Sequence, residues 1–189
     1  GVPRVVALGG QWFLVFFVRF GVSFQTPAYW GFIGWLIALT LSDIDTLTLP
    51  NVLTMSGVCI GWLAQGLLAL SAHQAVMPTL AASVAASVLG LWLFDGISLL
   101  GAVVAGKTVM GGGDGKLAAM LGAWLGWQGL LLSVLLASFF GAMTGGVGIL
   151  LRRLDRRQPI PFGPFLAFGA GISLFFGNAL VQAYLSFLF

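Results

Sequence analysis

Asp43 and Asp45 end a long apolar stretch in ALTLSDIDTLTLPN, and Asp114 follows three glycines in MGGGDGKL. Two carboxylates held a few ångströms apart in a poorly hydrated site cannot both ionise easily. One keeps a proton while the other activates water for attack on a carbonyl, which is the chemistry of an aspartic protease. On a continuous helix, residues two apart point about 200° away from each other, so Asp43 and Asp45 cannot both face Asp114. One of them is a bystander. Asp43 lies closer to the apolar body of its segment and Asp45 closer to its polar end, and residue physics leaves that choice open.

The residues around Asp114 and Asp43 suggest how such a site is shaped. Gly111, Gly112 and Gly113 lack Cβ atoms, which lets backbone approach an extended substrate closely; the plainer alternative is a turn before a helix in which Asp114 is a first-turn acid. Lys116 is placed to orient or tune Asp114, or to snorkel to the membrane surface. Pro50 and Asn51 close the segment after Asp45. Of the other ionisable groups, Asp155 sits among four arginines in RRLDRR and reads as a solvated charge. Asp95, in LWLFDGISLL, reads as a structural group that pairs with a cation, hydrogen-bonds between helices or lines a cavity. One cysteine, Cys59, and one histidine, His73, are too few for a zinc site, so no metal is expected.

These carboxylates stand in a chain of 189 residues that is 59% hydrophobic and 7% charged, without a single glutamate. With a mean hydropathy of +1.06, this is the composition of an integral membrane protein. A helix crosses the hydrocarbon with about 20 residues, so polar and Gly/Pro-rich breaks divide the chain into about seven spans. They fall at roughly 5–24, 28–44, 51–71, 78–105, 115–127, 129–151 and 163–187. The expected architecture is an all-α polytopic transmembrane bundle forming one domain over 1–189. No cleavable signal peptide is expected at the start. The net charge of +3 is concentrated in the arginines of 152–157, which reads as a topology signal and not as a nucleic-acid surface. The positive-inside rule puts that loop in the cytoplasm, and alternation then places Lys107, Lys116, the 45–50 loop and Arg4 on the same side. Arg19 is the misfit near the outer end of the first span, where it can snorkel, meet a lipid headgroup or meet Asp95.

Three stretches resemble the type IV prepilin leader peptidases, polytopic aspartic proteases of the GxGD kind. They are LTLSDIDTLTLPNVLT at 39–54, GKTVMGGGDGKLAAMLGAWLGW at 106–127 and IPFGPFLAFGA at 160–170. The resemblance, which covers nearly the whole chain, implies a GxGD aspartic protease fold. It implies that the first catalytic aspartate is the one seven positions before Pro50, which is Asp43, and that the second is Asp114. Asp45 is left as a possible accessory, with Gly111, Gly113, Lys116, Pro50 and Asn51 shaping the site and Gly163 and Pro164 the entrance for substrate. The implied reaction is removal, after a glycine, of the short basic leader of type IV prepilins or type II secretion pseudopilins at the cytoplasmic face of the inner membrane.

Many members also N-methylate the new pilin terminus with S-adenosylmethionine. No Gly-rich methyltransferase loop follows a strand here, so the residues themselves lend methylation no support. Many members carry a further N-terminal span and a domain with two CxxC pairs that bind zinc. The opening GVPRVVALGGQWFLVFFVRFG looks like the stretch that follows that domain, so zinc is not expected as a cofactor of this chain. Thr108 departs from the acidic residue often found there. Two other readings compete. Archaeal preflagellin peptidases and presenilin-like proteases share the GxGD chemistry but act on other substrates. An ion- or proton-coupled transporter would use intramembrane aspartates, but predicts paired repeats and carboxylates near the bilayer midplane.

Overall fold

A computed structural model describes residues 25–46, 48–105, 112–151 and 161–188. The elements are α1 (Gln25–Thr46), α2 (Asn51–Ser71), α3 (Val76–Ala105), α4 (Gly112–Leu150) and α5 (Gly163–Leu188), with no strand among the described residues. Proline marks the helix starts. Pro27, Pro78 and Pro164 lie in the first turns of α1, α3 and α5, where the N–H a proline lacks has no intrahelical acceptor to lose. Pro50 itself caps α2 from an extended conformation (φ −61°, ψ 126°). At the other end of α2 the chain turns through His73, held at φ 54°, with the Gln74 N–H donating to the Ala69 carbonyl at 2.9 Å.

The 39 residues of α4 would make a straight rod of about 58 Å, far more than a bilayer requires. They do not run straight. Gly126 sits at φ 69° and ψ −178°, a conformation closed to side chains with a Cβ. Before it, Gly122 packs on the Ala86 backbone and Gly115 on Phe94; after it, Gly129 approaches Ser173 and Gly169 packs on Ser133. Phe94 in turn lies 6.0 Å from Phe162, beside which Gly141 packs. Gly115 and Gly141 are therefore at one level of the bundle, and α4 is a hairpin whose limbs, 112–125 and 127–150, run antiparallel to α3 and α5 respectively.

Of the spans expected from sequence, 5–24 lies outside the described residues, and the other six each coincide with a helix or a limb of α4. Four helices, counting α4 once, are long and apolar enough to cross a membrane. The all-helical membrane bundle is thus what the chain forms, whereas a count of seven spans is not established. The outward faces agree with a lipid environment: Ile37, Leu41, Val52, Trp92, Leu99 and Leu135 are all exposed.

Indole N–H groups tie α2 to three neighbours. Trp35 of α1 donates to the Leu53 carbonyl at 2.9 Å, Trp124 of α4 to the Gly57 carbonyl at 2.9 Å, and Trp62 of α2 to the Ser87 hydroxyl of α3 at 3.1 Å. In lipid, where apolar surface gains little by leaving its solvent, such interhelical bonds and close backbone contact carry the association. The core they enclose is built around Phe32, Leu36, Leu39, Leu117, Met120 and Trp124, all of them buried.

Candidate active site

The last turn of α1 continues as helix through Asp45, so the geometry that separates Asp43 from Asp45 holds. Asp43 is buried, at 5% exposure, and Asp45 is exposed on the opposite side. Asp114, in the first turn of α4, is buried at 9%. The two buried carboxylates are close enough for the charge of Asp43 to act on Asp114. Phe162, which precedes the residue that bonds Asp43, meets Phe94, which packs on the residue after Asp114.

Several contacts hold the two acids in register. The segment between α1 and α2 is knit by hydroxyls, Thr46 Oγ1 donating to the Ser42 carbonyl at 2.8 Å and meeting Thr48 Oγ1 at 2.8 Å. It delivers Leu49, buried, against Gly113, where a Cβ would lie 3.1 Å from the leucine's own Cβ. Gly113 thus marks a close approach between the two acid-bearing segments. Lys116 does not reach Asp114. Its ammonium donates instead to Asn51 Oδ1, which fastens the first turn of α4 to the start of α2. Lys116 thus has Asn51 as its partner, and Pro50 is the cap of α2. Gly111, Thr108 and the arginines of 152–157 lie outside the described residues.

The contact that sequence reasoning did not foresee is at Gly163. Its N–H, at the start of α5, donates to Asp43 Oδ2 at 2.9 Å, and a Cβ there would sit 2.5 Å from the same oxygen. FGPF pointed to the segment but only as an entrance; nothing in it announces a backbone donor. Asp95 is exposed, makes no ion pair or hydrogen bond among the described residues, and has its carboxylate beside Gly115, near the level of the dyad and not midway along the bundle. No cluster able to hold a metal exists among the described residues. A cavity of about 330 Å³ opens at the other end of the bundle, between Gln65, Gln128 and Asn178, and among the described residues no carboxylate or cation lines it.

What this arrangement can do chemically is activate one water between two acids at one end of a helical bundle. The sequence model of the type IV leader peptidase family matches residues 30–146. The prepilin leader peptidase/N-methyltransferase of Pseudomonas aeruginosa is 37% identical over 173 residues, covering 89% of this chain and 56% of that protein. The protein of the same name from Aeromonas hydrophila is 42% identical over 154 residues, 80% of this chain and 50% of its own length, and that from Legionella pneumophila is 34% identical over 189 residues, 98% and 60%. The chain therefore spans about half the length of the curated relatives it matches. No solved structure matches it.

Proposed function

Because this chain belongs to the type IV leader peptidase family, we propose that it is a membrane aspartic endopeptidase that removes the leader of type IV prepilins or type II secretion pseudopilins. The observation that carries the reading is the pairing of Asp43 and Asp114, two buried carboxylates from different helices brought to one end of the bundle. They share a proton and activate water, while Gly111–Gly113 and the 45–50 segment hold the leader extended beside them. The whole of 1–189 acts as one transmembrane peptidase domain in the bacterial inner membrane, with the dyad facing the cytoplasm. N-methylation of the new terminus, with S-adenosylmethionine as donor, rests on the names of the relatives alone. A transporter finds no support in the comparisons, and the two buried carboxylates lie at one end of the bundle.

Two measurements test this. In proteoliposomes the chain is expected to cut a prepilin after the glycine that ends its leader, read by mass spectrometry of both products; release at any other bond would refute the substrate assignment. Orientation is checked in cells with Cys59 replaced by serine and a single cysteine put at Thr48 or at His73. An impermeant maleimide added outside should label the His73 position and spare the Thr48 position, and the reverse pattern would invert the proposed topology.

The Lys116 to Asn51 tie makes a graded prediction. Lys116→Met keeps the length of the side chain and removes the donor, so kcat/KM for leader cleavage should fall about tenfold, the order expected for losing a charge-assisted bond that positions a catalytic group. Asn51→Leu should fall by a similar factor. The double variant should be little worse than either, since both remove one interaction.

A further inference from the structure

The two acids of the dyad are not equivalent, and the structure shows where they differ. Asp43 Oδ2 accepts the Gly163 N–H at 2.9 Å, in the first turn of α5, whereas the Asp114 carboxyl accepts no hydrogen bond among the described residues. Both lie at helix N-termini, Asp114 in the first turn of its own helix and Asp43 against the start of α5, so the helix dipoles alone do not separate them. The direct donor does, because a hydrogen bond given to a carboxylate oxygen favours its charged form and only one of the pair receives one. Among the described residues, the other ionisable groups at this end do not reverse the order. Lys116 is engaged with Asn51, Asp45 faces away from Asp43, Asp95 lies beside Gly115, and α2 and α5 present no charged side chain here.

Resting on the aspartic-peptidase reading above, we propose that Gly163 is the positioning residue that fixes the division of labour, holding Asp43 as the carboxylate base and leaving the proton on Asp114 as the acid. Asp43 takes a proton from water as the water oxygen bonds to the scissile carbonyl carbon, and Asp114 gives its proton to the carbonyl oxygen. The resulting gem-diol collapses: Asp43 passes its proton to the leaving nitrogen as the C–N bond breaks, and Asp114 recovers one from a diol hydroxyl. Both acids return to their starting states, and the products are a carboxylic acid and an amine. Glycine is required because a Cβ at this position would lie 2.5 Å from the very oxygen the N–H holds.

The test removes the N–H without adding an atom, by placing glycolic acid at position 163 through nonsense suppression so that the peptide becomes an ester. Activity of the wild type should rise with pH as Asp43 ionises and fall as Asp114 loses its proton. The ester should move the acid limb of kcat/KM for leader cleavage to higher pH by about one unit, with activity recovered above it. Movement of the alkaline limb instead would reverse the assignment, and an unmoved profile would reduce the bond to a structural one. Infrared spectroscopy with carboxyl-labelled aspartate gives a second readout that needs no ester, in a chain with five aspartates and no glutamate. The protonated-carboxyl band of the wild type should vanish in Asp114→Asn; its survival there would put the proton on Asp43 and overturn the proposal. A wild type that cleaves no leader and shows no such band would instead sink the peptidase reading on which the assignment stands.

Discussion

Asp43→Asn and Asp114→Asn are each expected to lower leader cleavage by about a thousandfold or more, and Asp45→Asn to leave it within about twofold. Asparagine has the shape of aspartate and can still accept the Gly163 N–H at position 43, so the bundle has no reason to rearrange. What it cannot do is take up or give back a proton, and concerted proton transfer is worth about 10²–10⁴ in rate for each group. Because the two acids handle one water together, the losses are not additive: Asp43→Asn combined with Asp114→Asn should be about as inactive as either alone. Stability supplies an independent check. Asp43 and Asp114 are both buried, and asparagine at either position removes a buried ionisable group while keeping its shape. The dead variants should therefore melt no lower than the wild type in detergent. Cleavage assays on purified protein in liposomes, paired with melting curves, separate the possibilities. Loss of cleavage with a large drop in melting temperature would make the aspartates structural, and inactivity of Asp45→Asn would show that the wrong member of the pair faces the water.

How far the residues alone foretold this geometry depends on the kind of force involved. Apolar length and proline punctuation are local, so the bounds of α2 could be read directly, and the break between the limbs of α4 was placed within a few residues of Gly126. The same-end placement of Asp43 and Asp114 followed from alternation of spans; helix geometry showed only that Asp43 and Asp45 cannot both face Asp114, and the choice of Asp43 came from the family resemblance. Other features were hidden because they depend on which helix meets which. Leu49 has no chemical signature, yet it is the side chain that Gly113 closely approaches. Gly163 contributes through a backbone N–H that every non-proline residue possesses, so only the packing of α5 against α1 reveals it. Lys116 was read against its sequence neighbour Asp114, while its actual partner, Asn51, lies 65 residues away. Pairing across helices decides each of these, and spacing within one segment carries no information about it.

The same dependence on pairing makes the seam between α3 and α4 the place where small substitutions should do the most structural damage. At Gly122 a Cβ would stand 2.3 Å from the Ala86 carbonyl oxygen, and at Gly90 one would stand 2.6 Å from the Ala118 carbonyl oxygen. Ordinary contact is about 3.5 Å, and the obstacle in both cases is backbone, which no rotamer change can move aside. The helices must separate. Gly122→Ala and Gly90→Ala are each expected to cost about 1–3 kcal/mol, the range for overpacking a filled interior, and valine at either position should prevent the bundle from forming. Gly34 and Gly171 provide the contrast, since nothing lies within 4 Å of a Cβ built there. Alanine at those positions removes glycine's backbone freedom at no steric cost and should stabilise the helix by up to about 1 kcal/mol. The sign of the shift in a detergent unfolding midpoint thus distinguishes seam glycines from merely helical ones. Function should follow the seam as well, because Gly115 packs on Phe94 of α3 and Asp114 is its immediate neighbour. Separating α3 from α4 displaces one acid while Asp43, held from α5, stays in place. Gly122→Ala should therefore lose leader cleavage out of proportion to its loss of stability, whereas Gly34→Ala and Gly171→Ala should keep both; equal behaviour of all of them would mean that the close approach of the two backbones does not set the position of Asp114.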